Sequence, residues 1–110
     1  MTPSIDQLCQ ETLAGHLKWD TIDNLIVNNA PYSLQFQHIL PDKSFFTTIE
    51  SETIIVLYGE VRDIFRDSIK KGYYIQTLVD NNIEDVDIPE VDVVKLHTLI
   101  TIVNDDSPNI

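Results

Sequence analysis

Hydrophobic positions near the start of the chain follow a helical period. Ile5, Leu8, Cys9, Leu13 and His16 fall along one helical face, which predicts a helix over residues 3–14. Ser4 and Gln7 have the spacing of a capping box, and Pro3 suits the first helical position behind a Thr2 cap. Gly15 then supplies the left-handed residue that ends many helices. Beyond it Leu17 and Trp19 alternate with Lys18 and Asp20, the pattern of a short strand with Trp19 on its buried face. Leu25, Ile26 and Val27 extend a strand among the turn formers Asn24, Asn28 and Asn29.

From Tyr32 the alternation is strict. Tyr32, Leu34, Phe36, His38 and Leu40 share one face of a half-buried strand, and residues 41–44 make a turn. Phe45, Thr47 and Ile49 line one face of the next strand. After a turn at residues 50–52, the run 53–58 is apolar on both faces, as a strand at the centre of a covered sheet must be. Residues 59–71 change period. Val61, Ile64, Phe65 and Ile69 form a stripe beside Arg62, Arg66 and Lys70, which predicts a short amphipathic helix ended by Gly72. Residues 73–79 return to strand, and residues 80–87 read as an acidic loop. In residues 90–104, Val91, Val94, Leu99, Ile102 and Val103 suit a buried helical face, and the acids at its start suit a helix N-terminus. Its β-branched content keeps a strand as the alternative.

These elements predict one α+β domain over residues 1–110, with residues 105–110 as a frayed tail. Its parts are an N-terminal helix, an antiparallel meander of four to five strands, a short amphipathic helix before the last strand, and a C-terminal helix.

Two phrases of the chain also resemble a pattern found in small, poorly characterised bacterial proteins. The first is Glu11-Thr12-Leu13-Ala14-Gly15-His16-Leu17-Lys18-Trp19, of the form E-T-x-x-G-x-L-x-W. The second is Phe46-Thr47-Thr48-Ile49, followed by the strand through Ile54 to Leu57, the Tyr73 strand and the helix around Leu96 and Leu99. The resemblance covers about half the chain and implies a helix, an antiparallel sheet and a C-terminal helix, with no established activity. Residues 20–43 and the stretch 60–71 are additions to that pattern.

Charge narrows the functional classes. Seven Lys and Arg against eighteen Asp and Glu give a net charge of −11 and a pI near 4.3. Such a surface opposes nucleic acid and anionic membranes alike, and leaves a basic protein, a polyamine or a metal ion as the electrostatically suited partners. Cys9 is the only cysteine, so no internal disulfide forms. A lone thiol and a start without a basic, apolar leader indicate a cytoplasmic protein.

Candidate chemistry is sparse. His16, His38 and His97 lie on separate elements without paired spacing. Cys9 and His16 are two helical turns apart, about 10.5 Å of rise, too far for a thiolate and its base. An EF-hand loop starting at Asp80 requires Gly at its sixth position and Glu at its twelfth, where the chain has Asp85 and Val91. Arg62, Arg66, Lys70 and Lys71 form a basic row at helical spacing, with Asp63 and Asp67 placed to pair with it. No glycine-rich phosphate loop and no G-x-S-x-G serine occur. Neither catalytic residues nor a cofactor or metal site is therefore expected.

One segment stands apart. Residues 80–110 carry eight acids against Lys95 alone, a net −7. Glu84, Asp85, Asp87, Glu90 and Asp92 are the candidate contact residues for a basic protein partner, because opposed charge speeds association and selects partners. The expected function is a non-catalytic acidic binding or regulatory module of the immunity or inhibitor type. The alternative is an assembly subunit that self-associates, as a homodimer or larger complex, through its sheet.

Overall fold

The computed structural model describes residues 4–27, 29–32, 39–63, 65–80 and 82–105. Two helices and seven strands follow in the order α1 (Ile5–Leu13), β1 (Asp20–Thr21), β2 (Ile26–Val27), β3 (Ala30–Pro31), β4 (Phe45–Ile49), β5 (Glu52–Asp63), β6 (Ser68–Val79), β7 (Asn82–Asp85) and α2 (Glu90–Asp105). Turns of 3-10 helix occupy Ile22–Asn24 and Pro41–Lys43. The main sheet is antiparallel in the order β1-β4-β5-β6-β7, and β2 and β3 form a separate small ribbon. The fold is α+β, as the sequence predicts.

Local rules place α1. Ser4 caps it, its hydroxyl accepting from the Gln7 N–H at 3.2 Å, and Gly15 leaves it at φ +78°. The buried face is Ile5, Leu8, Cys9 and Thr12, whereas Leu13 and His16, assigned to it above, are exposed. Thr12 is tolerated there because its hydroxyl donates to Leu8 O at 2.7 Å and accepts the Trp19 indole N–H at 3.0 Å. Trp19 is buried as expected, but the strand beside it is Asp20–Thr21, paired to β4.

The central strand behaves as its two-faced pattern requires. Ile54 and Val56 enter the core beneath α1 and α2, with Phe45, Ile75, Val93, Leu96 and Ile100. Ile55 and Leu57 enter a second core on the opposite face, with Ile22, Leu25, Val27 and Tyr32. Ile22, Leu25, Val27 and Tyr32, from the chain after β1, thus cover the second face of the sheet. The strand expected over residues 32–40 falls mostly outside the described residues, His38 included; Tyr32 is buried, and Ile39 forms a single bridge to Gly59. Of the tail expected at residues 105–110, Asp105 instead ends α2 and residues 106–110 lie outside the described residues.

Three expectations need correction. The stretch 59–71 is not a helix: β5 and β6 stay in register from Thr53↔Leu78 through Gly59↔Gly72 to Asp63↔Ser68, forming a long β-arm. The spacing of four shared by Val61, Phe65 and Ile69 suits a helix but does not run along one strand, because residues 65–67 form the turn between β5 and β6. Long-range pairing to β5 then decides in favour of strand. The acidic stretch 80–87 is not all loop, since Asn82–Asp85 folds back on β6 after Asp80 turns the chain at φ 51°. In α2 the helical reading holds against the strand alternative, but its buried face is Val93, Leu96, His97 and Ile100. Val91 and Ile102 are exposed. The helix is apolar nearly all round, so the packing partners rather than the periodicity choose the face.

Candidate functional site

The structure gathers part of the predicted acidic set beside β6. Asp85 ends β7 opposite Gln76, and its carboxylate accepts from the Gln76 amide at 2.8 Å. The same amide accepts the Tyr32 hydroxyl at 2.7 Å. Burial, and then the Asp85 charge, push the Tyr32 phenol above its usual pKa, so it stays a donor. Asp85 and Asp87 line a groove of about 350 Å³ walled by Tyr73, Ile75, Val86, Ile88 and Val93. At this edge of β6 the carboxylate of Glu90 accepts the Tyr73 N–H at 3.4 Å.

The remaining two residues point elsewhere. Glu84 lies opposite Thr77 and is exposed on the other face of β7 from Asp85. Asp92 is half-buried and looks toward α1. Cys9 has its thiol pKa raised first by burial, with Lys95 opposing and Asp6 and Asp92 adding to the rise. Both Glu90 and Asp92 sit in the first turn of α2, where the helix dipole favours carboxylates.

A second surface was not legible in the sequence. An open cleft of about 610 Å³ lies between the later turns of α2 and the Pro41–Lys43 turn, lined by Lys43, Phe45, Tyr58, Tyr73, His97 and Thr101 among others. His97 is only 9% exposed, and its Nε2 lies 2.6 Å from the carbonyl of Lys43. A carbonyl only accepts, so Nε2 carries the proton, and in the neutral ring Nδ1 holds the lone pair. The ring stacks on Tyr58 at 5.4 Å and meets Tyr73 edge-on at 5.2 Å and Phe45 at 5.7 Å. Burial lowers the His97 pKa; the Lys43 carbonyl opposes that shift and the Lys43 charge assists it. Burial raises the Tyr58 phenol, and its bond to Glu60 at 3.0 Å holds the proton further. The bond from His97 to Lys43 spans 54 residues, a separation that no local spacing encodes.

The other candidate groups are committed to structure. The Ser44 hydroxyl accepts the Tyr58 N–H at 3.0 Å and donates to Leu40 O at 2.9 Å, tying the Pro41–Lys43 turn to β5. His16 is exposed and pairs with Glu11 at 2.7 Å. The basic row dissolves into the arm, where Lys71 is paired with Glu60, Lys70 with Val61 and Arg62 with Ile69 in the strand register. Among the described residues no group of three or more His, Cys, Asp and Glu could hold a metal ion, and no helix is long and apolar enough to cross a membrane. Comparison with protein families, with curated proteins and with solved structures gives no match for this chain.

Proposed function

We propose that the protein is a non-catalytic binding module that presents its acidic β7–α2 surface to a basic protein partner in the cytoplasm. The observation that carries this reading is the groove beside β6 that Asp85 and Asp87 line, with Glu90 at the same strand edge on the Tyr73 N–H. Two acidic residues among apolar walls, with Glu90 nearby, give a cationic side chain both a charge to meet and a surface for its aliphatic stem. Glu84 extends the surface across β7, while the half-buried Asp92 contributes only to the wider negative field. The net charge of −11 steers a basic partner from a distance. The reading of binding rather than turnover rests on Ser44, Cys9 and His97, each held in packing or backbone hydrogen bonds.

The test is a paired charge reversal, Asp85→Lys with Glu90→Lys. Both residues are exposed, so the fold is expected to persist. Association with the partner recovered from the native cell should slow at least tenfold, and its salt dependence should flatten. An unchanged rate and salt slope would remove the acidic groove as the contact.

A further inference from the structure

Among the described residues the outer edge of β6 is only half covered. β7 pairs with Gln76, Thr77, Leu78 and Val79 and no further toward the arm. The Tyr73 N–H points outward to Glu90, and the Ile75 carbonyl points outward to the Val86 N–H at 3.0 Å. Alternation along the strand therefore aims the N–H and C=O groups of Ile69 and Lys71 outward too. Among the described residues no strand pairs with this stretch. Open edges of this kind template a further strand.

Charge and shape indicate what covers it. Residues 60–71 hold four of the seven basic residues and three acids, a net +1, which leaves −12 on the rest of the chain. The open edge is thus where two copies of an acidic protein meet with least repulsion. It also lies beside the groove containing Asp85 and Asp87, which favours the cationic arm of another copy. Ile69 is 61% exposed and shares a strand face with Tyr73 and Ile75.

We propose that the protein forms a two-fold homodimer in which the outer edges of two β6 strands pair antiparallel over residues 69–73, joining both sheets. Centred on Lys71, this pairing sets Ile69 of each copy opposite Tyr73 of the other, at the mouth of the groove walled by Ile75, Val86, Ile88 and Val93. The Tyr73 N–H passes from Glu90 to the second copy's backbone, and the released carboxylate from each copy flanks the two Lys71 ammonium groups. Glu84 and Asp85 lie beyond the paired stretch and stay with the function proposed above, whereas Glu90 serves both contacts; substitutions at Lys71 alter none of these carboxylates and therefore test the dimer alone.

Sedimentation equilibrium on the full chain, at low and high salt, tests the dimer with two variants. Lys71→Pro removes an outward N–H and leaves the β5–β6 ladder intact, because Glu60↔Lys71 is not one of its hydrogen-bonded pairs. It should weaken dimerisation at least about tenfold, since symmetry removes the bond twice. Lys71→Cys puts two thiols on the axis with Cα atoms about 5.5 Å apart, within disulfide reach, while native Cys9 is buried. Mild oxidation should give a dimer whose peptide map shows a 71–71 link. Salt should leave the wild-type dimer as tight or tighter, because it screens repulsion between two acidic chains. A chain that stays monomeric at every concentration, or a dimer without the 71–71 link, would overturn the proposal. If Lys71→Pro proves unfolded by circular dichroism, the cysteine link decides alone.

Discussion

Val56, with no exposed surface, shows how much one position in the two-faced strand carries. Replacing it with Asp buries an unpaired carboxylate between α2 and β4, at a cost of several kcal/mol against a typical total of roughly 5–15. Val56→Asp is expected to abolish cooperative melting, and a soluble variant with a sharp transition would contradict the placement of β5. His97 gives the residue scale a pH dependence. Its folded-state pKa lies below the ordinary 6.5, so the unfolded chain binds the proton more readily in the window between the two values. Its contribution to stability is complete above 6.5 and is lost as pH falls through that window. Urea midpoints followed from neutral pH downward should fall less steeply in His97→Gln than in the parent. Equal slopes would show that the imidazole titrates freely.

At the scale of elements, the turns and the arm show where backbone conformation is bound to sequence. Gly15 follows α1 with a positive φ and open space around its missing side chain. Gly15→Ala should cost about 1 kcal/mol through backbone strain alone. Gly72 is different. A methyl group there would meet the Tyr74 hydroxyl at 2.6 Å and ring carbons at 3.0 Å, the far end of an exposed side chain that can swing away. Relief of the entropy cost of a strand glycine offsets that movement, so Gly72→Ala should change stability by less than about 1 kcal/mol. Thermal unfolding of the two variants side by side separates the explanations, and a severe loss at Gly72 alone would show the arm to be less adaptable. The β-arm also shows how long-range pairing overrides a local pattern: Val61, Phe65 and Ile69 have helical spacing, yet they fall on β5, the turn and β6, joined by the register from Thr53↔Leu78 outward.

The whole molecule separates the two proposed associations by their response to salt. A basic partner at the acidic groove gains from long-range attraction, so its complex should weaken as salt rises. A β6–β6 dimer joins two chains of −11 each, so salt should leave it unchanged or tighter. Opposite salt trends in one preparation would show two distinct contacts, although both touch Glu90. The distribution of charge along the chain makes this possible, since the near-neutral arm and the acidic β7–α2 region occupy different parts of β6's outer edge.

Local information was sufficient for some features. The Gly15 stop of α1, the burial of Trp19, and the centrality of the strand around Val56 all follow from neighbours within a few residues, whereas of the two starts the sequence offered, Thr2 and Ser4, the structure takes Ser4. So does the acidity of residues 80–92, which lies in the side chains themselves. Tertiary structure decided the rest. It folded Ile22, Leu25, Val27 and Tyr32 over the second face of the sheet, and turned α2 on Val93, Leu96, His97 and Ile100. It also brought Glu90 to the Tyr73 N–H and His97 to the Lys43 carbonyl. Caps, turns and alternation are energies of adjacent residues and are written in their order. A helix with apolar residues on several sides, or a stripe of helical spacing that long-range pairing breaks into a hairpin, is not decided by those energies, and contacts between distant segments select the outcome.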